Sequence, residues 1–110
     1  MAITEKRLGA TTVSINTDTS LYTAPASTTT TVSLIQVCNQ GSSEYTFRVA
    51  AVDGAIGSVA TEDYLYYDCA IPANDSISLR LGIVLETTHS ILVRANNASV
   101  TFIAFGLERT

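Results

Sequence analysis

The stretch Leu21–Asn39 most constrains the fold, because it reads as a short strand, a turn at Pro25 and a long strand rich in β-branched residues. The same order returns at Ile71–Leu79, where Pro72 begins a turn that leads into an alternating strand. No stretch of ten or more residues has a helical period, and only Val59–Asp63 is expected to contain a short helical turn. The chain is therefore predicted to consist of short antiparallel strands joined by turns.

Roughly eight or nine such strands fit into the chain, a number and spacing typical of a β-sandwich or small barrel. We predict an all-β, antiparallel β-sandwich of about eight strands, with a jelly-roll or immunoglobulin-like topology. Residues 1–10 are predicted to be an N-terminal arm or an edge strand, and residues 11–110 a single sandwich domain. Two β-hairpins are expected, at Thr29–Val52 and at Ile91–Leu107.

The long strand Thr29–Asn39 has apolar side chains on both of its faces. Val32 and Leu34 share one face by alternation, whereas Ile35 and Val37 share the other. Two explanations stay open at this point. Either both faces are covered, one in the core and one at an interface, or a bulge where Leu34 meets Ile35 shifts the phase. On the first explanation Ile35 and Val37 are candidate interface residues.

The composition favours a component of an assembly. Charged residues make up only 15% of the chain, while Ser and Thr together fill 27 positions. Subunit interfaces are depleted of Lys and Glu, so a polar but weakly charged surface suits a protein that is covered by neighbours. The net charge of −4 and the scattered basic residues argue against a nucleic-acid partner, because phosphate binding needs clustered Lys and Arg.

The N-terminal segment lacks an apolar run of signal-peptide length after Lys6–Arg7, and no stretch is long enough to span a bilayer. We therefore expect a protein that is made in the cytosol without an export signal and does not contact a membrane. Cys38 and Cys69 fit that compartment as free buried thiols.

Residues that could carry enzyme chemistry are sparse. His89 is the only histidine and lies in a predicted surface turn, so the sequence does not support a Ser-His-Asp or Cys-His arrangement. One histidine without paired cysteines cannot form a zinc site, and neither a calcium loop nor a glycine-rich phosphate loop is present. We therefore expect no catalytic residue, no metal site and no cofactor.

The predicted strand Tyr64–Ile71 is rich in tyrosine. By alternation Tyr64 and Tyr66 share a face with Asp68, and the residues between them share the other. One face is expected to join the core and the other to meet a neighbouring subunit, which makes Tyr64 and Tyr66 candidate interface residues. The alternative is a platform on which a sugar stacks, although the chain has no tryptophan to reinforce it.

Six short motifs occur in order over most of residues 8–108. They are Leu21–Ala26, Val37–Asn39, Phe47–Ala50, Tyr67–Asp68, Pro72–Asp75 and Val100–Glu108. In these motifs the chain resembles a group of small bacteriophage virion proteins. The chain departs from the group at Val100–Thr101, where the group has a serine near the last strand.

The resemblance implies a non-enzymatic architectural protein of a tailed-phage particle. Proteins of this group occur as capsid cement (decoration) proteins and as tail or baseplate accessories, usually as oligomers. We therefore expect an oligomer, with a trimer favoured, that clamps other virion proteins such as the major capsid protein. A tail, baseplate or fibre accessory protein is the first alternative. A carbohydrate-binding module for host attachment is the second.

Such a protein is expected to meet its neighbours through strand faces, through its N-terminal arm and through a sheet edge that extends a neighbour's sheet. The expected location is the virion, after synthesis in the host cytoplasm. The candidate interface residues are Lys6, Arg7, Leu8, Ile35, Val37, Tyr64 and Tyr66.

Overall fold

Eight strands and two single turns of 3₁₀ helix make up the fold of this computed structural model, which describes residues 2–110. The 3₁₀ turns, Ile56–Ser58 and Thr61–Asp63, lie between β4 and β5, and the second falls where a helical turn is predicted. The strands are β1 (Ile3–Thr12), β2 (Thr19–Thr23), β3 (Thr29–Asn39), β4 (Tyr45–Val52), β5 (Tyr64–Ile71), β6 (Ser76–Leu85), β7 (Ser90–Ala95) and β8 (Val100–Arg109).

The strands form two four-stranded antiparallel sheets that pack face to face. Sheet A has the order β1-β8-β3-β6, and sheet B has the order β2-β7-β4-β5. The pairs β1–β8, β2–β7, β3–β6 and β4–β5 are nested, as in one long antiparallel ribbon that has been rolled up. This order is that of a jelly roll, whereas an immunoglobulin-like sandwich pairs its strands as A-B-E-D and C-F-G. The predicted β-sandwich is confirmed, and the strand order selects the jelly roll.

Both predicted hairpins are wrong, because the strands concerned lie in different sheets. Thr29–Val52 joins β3 of sheet A to β4 of sheet B, and Ile91–Leu107 joins β7 of sheet B to β8 of sheet A. The turns between them cross from one sheet to the other and bond to each other. The Gln40 N–H, for example, donates to the Ser99 carbonyl at 3.0 Å.

The strand β3 contains a bulge at Ser33, where its register against both neighbours shifts between Val32 and Leu34. The bulge places Val32, Ile35 and Val37 on the same side, and all three are fully buried. The phase-shift explanation is therefore correct, with the bulge just before the predicted position. Ile35 and Val37 are core residues, and their prediction as interface residues is corrected.

Aromatic rings from both sheets meet in the core. Phe47 of β4 packs edge-on against Phe102 of β8, with 6.3 Å between ring centres.

Cys38 and Cys69 lie in different sheets, are not bonded to each other and are half-buried.

A polar contact also ties the two sheets together. The Tyr22 hydroxyl of β2 donates to the carboxylate of Glu108 in β8, and it lies 2.7 Å from Thr30 Oγ1 of β3. Lys6 Nζ of β1 lies 3.3 Å from Glu108 Oε1. Burial and the contact with Glu108 raise the pKa of Tyr22 to about 12. The hydrogen bond from Tyr22 lowers the pKa of the Glu108 carboxyl.

Candidate interaction surface

The outer face of sheet B, called the B face, is partly covered by the protein itself. Ala50, Val52 and Leu92 alternate with core residues of β4 and β7, so their side chains point away from sheet A. They are nevertheless fully buried, because Ile56 and Val59 of the connection between β4 and β5 pack over them. The B face therefore offers little free apolar surface at these positions.

Both arginines of the B face are paired. Arg48 donates to the two carboxylate oxygens of Asp68 at 2.6 and 3.1 Å, and its guanidinium lies 4.0 Å from the centre of the Tyr67 ring. Arg94 Nη1 lies 3.2 Å from Asp18 Oδ1. The hydrogen bonds from Arg48 lower the pKa of Asp68. The charges of this face are thus largely satisfied within the chain.

Tyr64 and Tyr66 lie on opposite faces of sheet B, contrary to the predicted alternation. The register of β5 against β4 shifts twice, and Asp68 adopts a positive φ of 52°. Tyr66 consequently packs against Phe47 in the core, with 6.1 Å between ring centres, whereas Tyr64 packs edge-on against Tyr67 on the B face at 5.0 Å. The two predicted residues form neither a shared interface nor a flat platform for a sugar.

The outer face of sheet A, called the A face, has a different character. One row across its four strands consists of Arg7, Phe105, Leu34 and Arg80, which are direct cross-strand partners. The row points outward, because Ala104, the neighbour of Phe105 in β8, is fully buried. Phe105 is 39% exposed, and both arginines are exposed.

A second row of the A face lies beside the first. It consists of Glu5, Leu107, Thr31 and Val84, again as cross-strand partners, and Val84 is 59% exposed. Between the rows lies a shallow depression of about 450 Å³, which Phe105 helps to line. The A face thus presents an apolar strip, which consists of Phe105 and Leu34 in the first row and Leu107 and Val84 in the second, and the two arginines lie at the ends of the first row.

The structure separates the three predicted residues of the N-terminal segment, which forms β1 at the edge of sheet A. Arg7 lies on the A face, whereas Lys6 pairs with Glu108. Leu8 occupies a bulge in β1 and packs, half-buried, against the core. Of the three, Arg7 is the one that lies beside the apolar strip.

The interface residues predicted from the sequence do not include three residues of the first row, namely Phe105, Leu34 and Arg80. The sequence of β8 does indicate that Phe105 points outward. Phe102 points inward, so alternation places the apolar residues Ile103 and Phe105 on the outer side. No comparable signal exists for Arg80. Its position beside Leu34 follows from the pairing of β6 with β3, which are distant in sequence.

The described part of the chain, residues 2–110, has no cluster of three His, Cys, Asp or Glu side chains that could hold a metal ion. His89 Nδ1 lies 3.5 Å from Asp53 Oδ1, in the connections at one end of the sandwich. Neither 3₁₀ turn, the only helical structure within these residues, is long enough to cross a membrane.

No model of a known protein family matches the chain, and a comparison with curated proteins finds no relative. The likeness to phage virion proteins therefore rests on the short motifs alone.

Proposed function

We propose that this chain is a non-enzymatic structural protein of a bacteriophage particle, an oligomeric capsid cement protein that clamps neighbouring capsid subunits. The observation that carries the proposal is the A face, with its partly exposed apolar strip. Contiguous exposed apolar side chains on a small soluble domain are typical of a surface that contacts another protein. The jelly-roll topology also supports the proposal, because this architecture recurs among viral capsid proteins.

The motifs behind the phage resemblance coincide with residues that hold the jelly roll together. Leu21–Ala26 begins within β2, whose Tyr22 donates to Glu108 in the other sheet. Asn39, which ends a second motif, is buried, and its side-chain amide donates to the Ile71 carbonyl at 3.1 Å. These motifs therefore support a fold shared with the group, and the A face supplies a surface for contact.

A cement protein stabilises a shell by adding contact area between subunits that have already assembled. If three copies form one oligomer, three A faces engage the shell at once. Each contact can then be weak, because linked contacts raise the overall affinity well above that of any one of them. Repetition over a symmetric shell multiplies the effect.

Quantitative mass spectrometry of purified phage particles tests the proposal. A cement protein is expected in hundreds of copies, in a fixed ratio to the major capsid protein. A tail, baseplate or fibre accessory protein would number in the tens or fewer. Particles from a phage in which the coding sequence is deleted serve as the control, and they should lose infectivity at a lower temperature. Absence of the chain from purified wild-type particles would contradict the proposal.

A further inference from the structure

The basic residues of the chain divide into two groups. Three of the six Lys and Arg residues have a carboxylate partner within residues 2–110. The other three, Arg7, Arg80 and Arg109, have no ion-pair partner there, and all three lie on the A face. Arg7 and Arg80 flank Phe105 and Leu34, and alternation along β8 places Arg109 on the same side as Phe105.

The acidic residues are distributed in the opposite way. Seven of the ten lie in the connections between strands: Asp18, Glu44, Asp53, Glu62, Asp63, Asp75 and Glu86. Asp68 is on the B face, and Glu108 accepts the bond from Tyr22. Only Glu5 shares the A face. A chain with a net charge of −4 therefore has one face on which positive charge exceeds negative charge.

The edges of the sheets are poorly suited to strand addition. Each of the four edge strands, β1, β2, β5 and β6, contains or adjoins a register shift against its neighbour. Bulges twist an edge and interrupt its row of backbone donors and acceptors, which hinders pairing with another chain. This argues against the expected extension of a neighbour's sheet and leaves docking through side chains.

We propose that the A face docks on an acidic protein surface, one that presents carboxylates on either side of apolar side chains. Arg7 and Arg80 are three strand spacings apart, about 14 Å, which sets the separation of the carboxylates that both could bind. Phe105 and Leu34 would pack against the apolar side chains between them. Because the rest of this molecule is acidic, such a partner repels every other approach and thereby selects the orientation. The inference rests on the proposed function and adds the chemistry of the partner.

The test compares variants of the full chain for their copy number in phage particles, measured by mass spectrometry. Arg7→Glu/Arg80→Glu is expected to reduce the copy number about tenfold or more, because reversed charges repel an acidic partner. Phe105→Ser is expected to reduce it about fivefold, as for an apolar side chain near the centre of an interface. Raising the salt concentration should release the wild-type protein from particles, since ion pairs at an interface are screened.

Matched controls lie away from the A face. Tyr67→Ser removes an exposed aromatic residue from the B face, where Tyr67 is 58% exposed. A second control, Ser42→Glu/Ser58→Glu, adds two negative charges in the connections between strands. The variant on the A face with which it is compared is Arg7→Gln/Arg80→Gln, which has the same net charge. The two controls, Tyr67→Ser and Ser42→Glu/Ser58→Glu, should retain the wild-type copy number. Circular dichroism checks that every variant is folded.

Several outcomes would overturn the inference. One is a wild-type copy number for the A-face variants, and another is a loss confined to Tyr67→Ser. A higher copy number for Arg7→Glu/Arg80→Glu would indicate a basic partner. If light scattering showed that Phe105→Ser dissociates the purified oligomer, the occupant of the A face would be a second copy of the chain. Absence of the wild-type protein from particles would instead refute the proposed function.

Discussion

The outer faces of the two sheets differ although the same kinds of residue occur on both. On the B face, Leu92 is fully buried under the chain's own connection, and Arg48 is held by Asp68. On the A face, Phe105 is 39% exposed, and Arg80 has no acidic partner within residues 2–110. These residues of the B face are therefore occupied by contacts within the chain, whereas those of the A face remain available to another molecule.

The difference comes from the length of the connections. The segment between β4 and β5 is long enough to form two 3₁₀ turns, and its Ile56 and Val59 cover the B face. The connections next to sheet A are short turns that run to the other sheet. An outward apolar residue is thus buried or exposed according to what lies over it, and its own strand does not decide which.

The largest expected difference between the faces is in the cost of removing an apolar side chain. Leu92→Ala should lower the free energy of unfolding by about 3 kcal/mol, because it leaves a cavity under the connection. Phe105→Ala should lower it by about 1 kcal/mol or less, since much of the ring is already in water. Urea unfolding of both variants measures the two values. Equal losses would mean that the strip on the A face is packed as tightly as the B face.

The hydrogen bond between Tyr22 and Glu108 joins the two sheets, so the cost of removing it is a reference for the losses measured on either face. Tyr22→Phe removes the hydroxyl that donates to Glu108 and should cost about 2 kcal/mol, as for a hydrogen bond to a charged group. If Tyr22→Phe lowered the free energy of unfolding by less than Arg80→Gln, a change at an exposed arginine without an acidic partner within residues 2–110, the contact would contribute little. Thr11→Val, a change of similar size at a partly exposed position in β1, serves as the control.

The contribution of this contact should also depend on pH at both ends of the scale. The pKa of Glu108 is lowered from its usual 4.5, so its stabilising effect is present above that pH and is lost as the pH falls through the lowered value. The pKa of Tyr22 is raised from 10.0 to about 12, so its effect is full below pH 10 and is lost as the pH rises towards 12. Wild type and Tyr22→Phe should therefore differ most near neutral pH. A difference that stayed constant from pH 3 to pH 11 would contradict the linkage.

The smallest expected effect compares the arginines of the two faces. Arg48→Gln removes a two-point ion pair and the contact with Tyr67, and it should lower the melting temperature by about 3 °C. Arg80→Gln should lower it by less than about 1 °C, because a solvated arginine without a partner adds little stability. Differential scanning calorimetry at low salt distinguishes the two. A larger loss for Arg80→Gln would reveal a stabilising contact on the A face.

Strand positions were predictable because they depend on local patterning. The predicted long strand coincides with β3 and the tyrosine-rich strand with β5, and the proline turns precede β3 and β6. A phase shift near Leu34 is one of the two explanations that the sequence leaves open, since apolar residues on both faces of a strand require either two covers or a bulge. These features depend on residues only a few positions apart.

Pairing was not predictable from the same patterns. Alternation shows which residues of a strand share a side, yet it does not show which strand lies alongside. The predicted hairpin at Thr29–Val52 failed for this reason, since β3 pairs with β6 and β8 instead of β4. The bulges of β5 likewise separated Tyr64 from Tyr66, because a shift of one residue moves a side chain to the other face.

Local sequence was thus sufficient for an all-β sandwich built from strands at the predicted positions, because strand propensity and turn chemistry act over a few residues. The tertiary structure alone decided the jelly-roll order, the burial of Ile35 and Val37, and the row that places Phe105 and Leu34 between two arginines. That row joins residues from four strands that are distant in the chain. Its existence depends on how the ribbon rolls up, and no single segment carries that information.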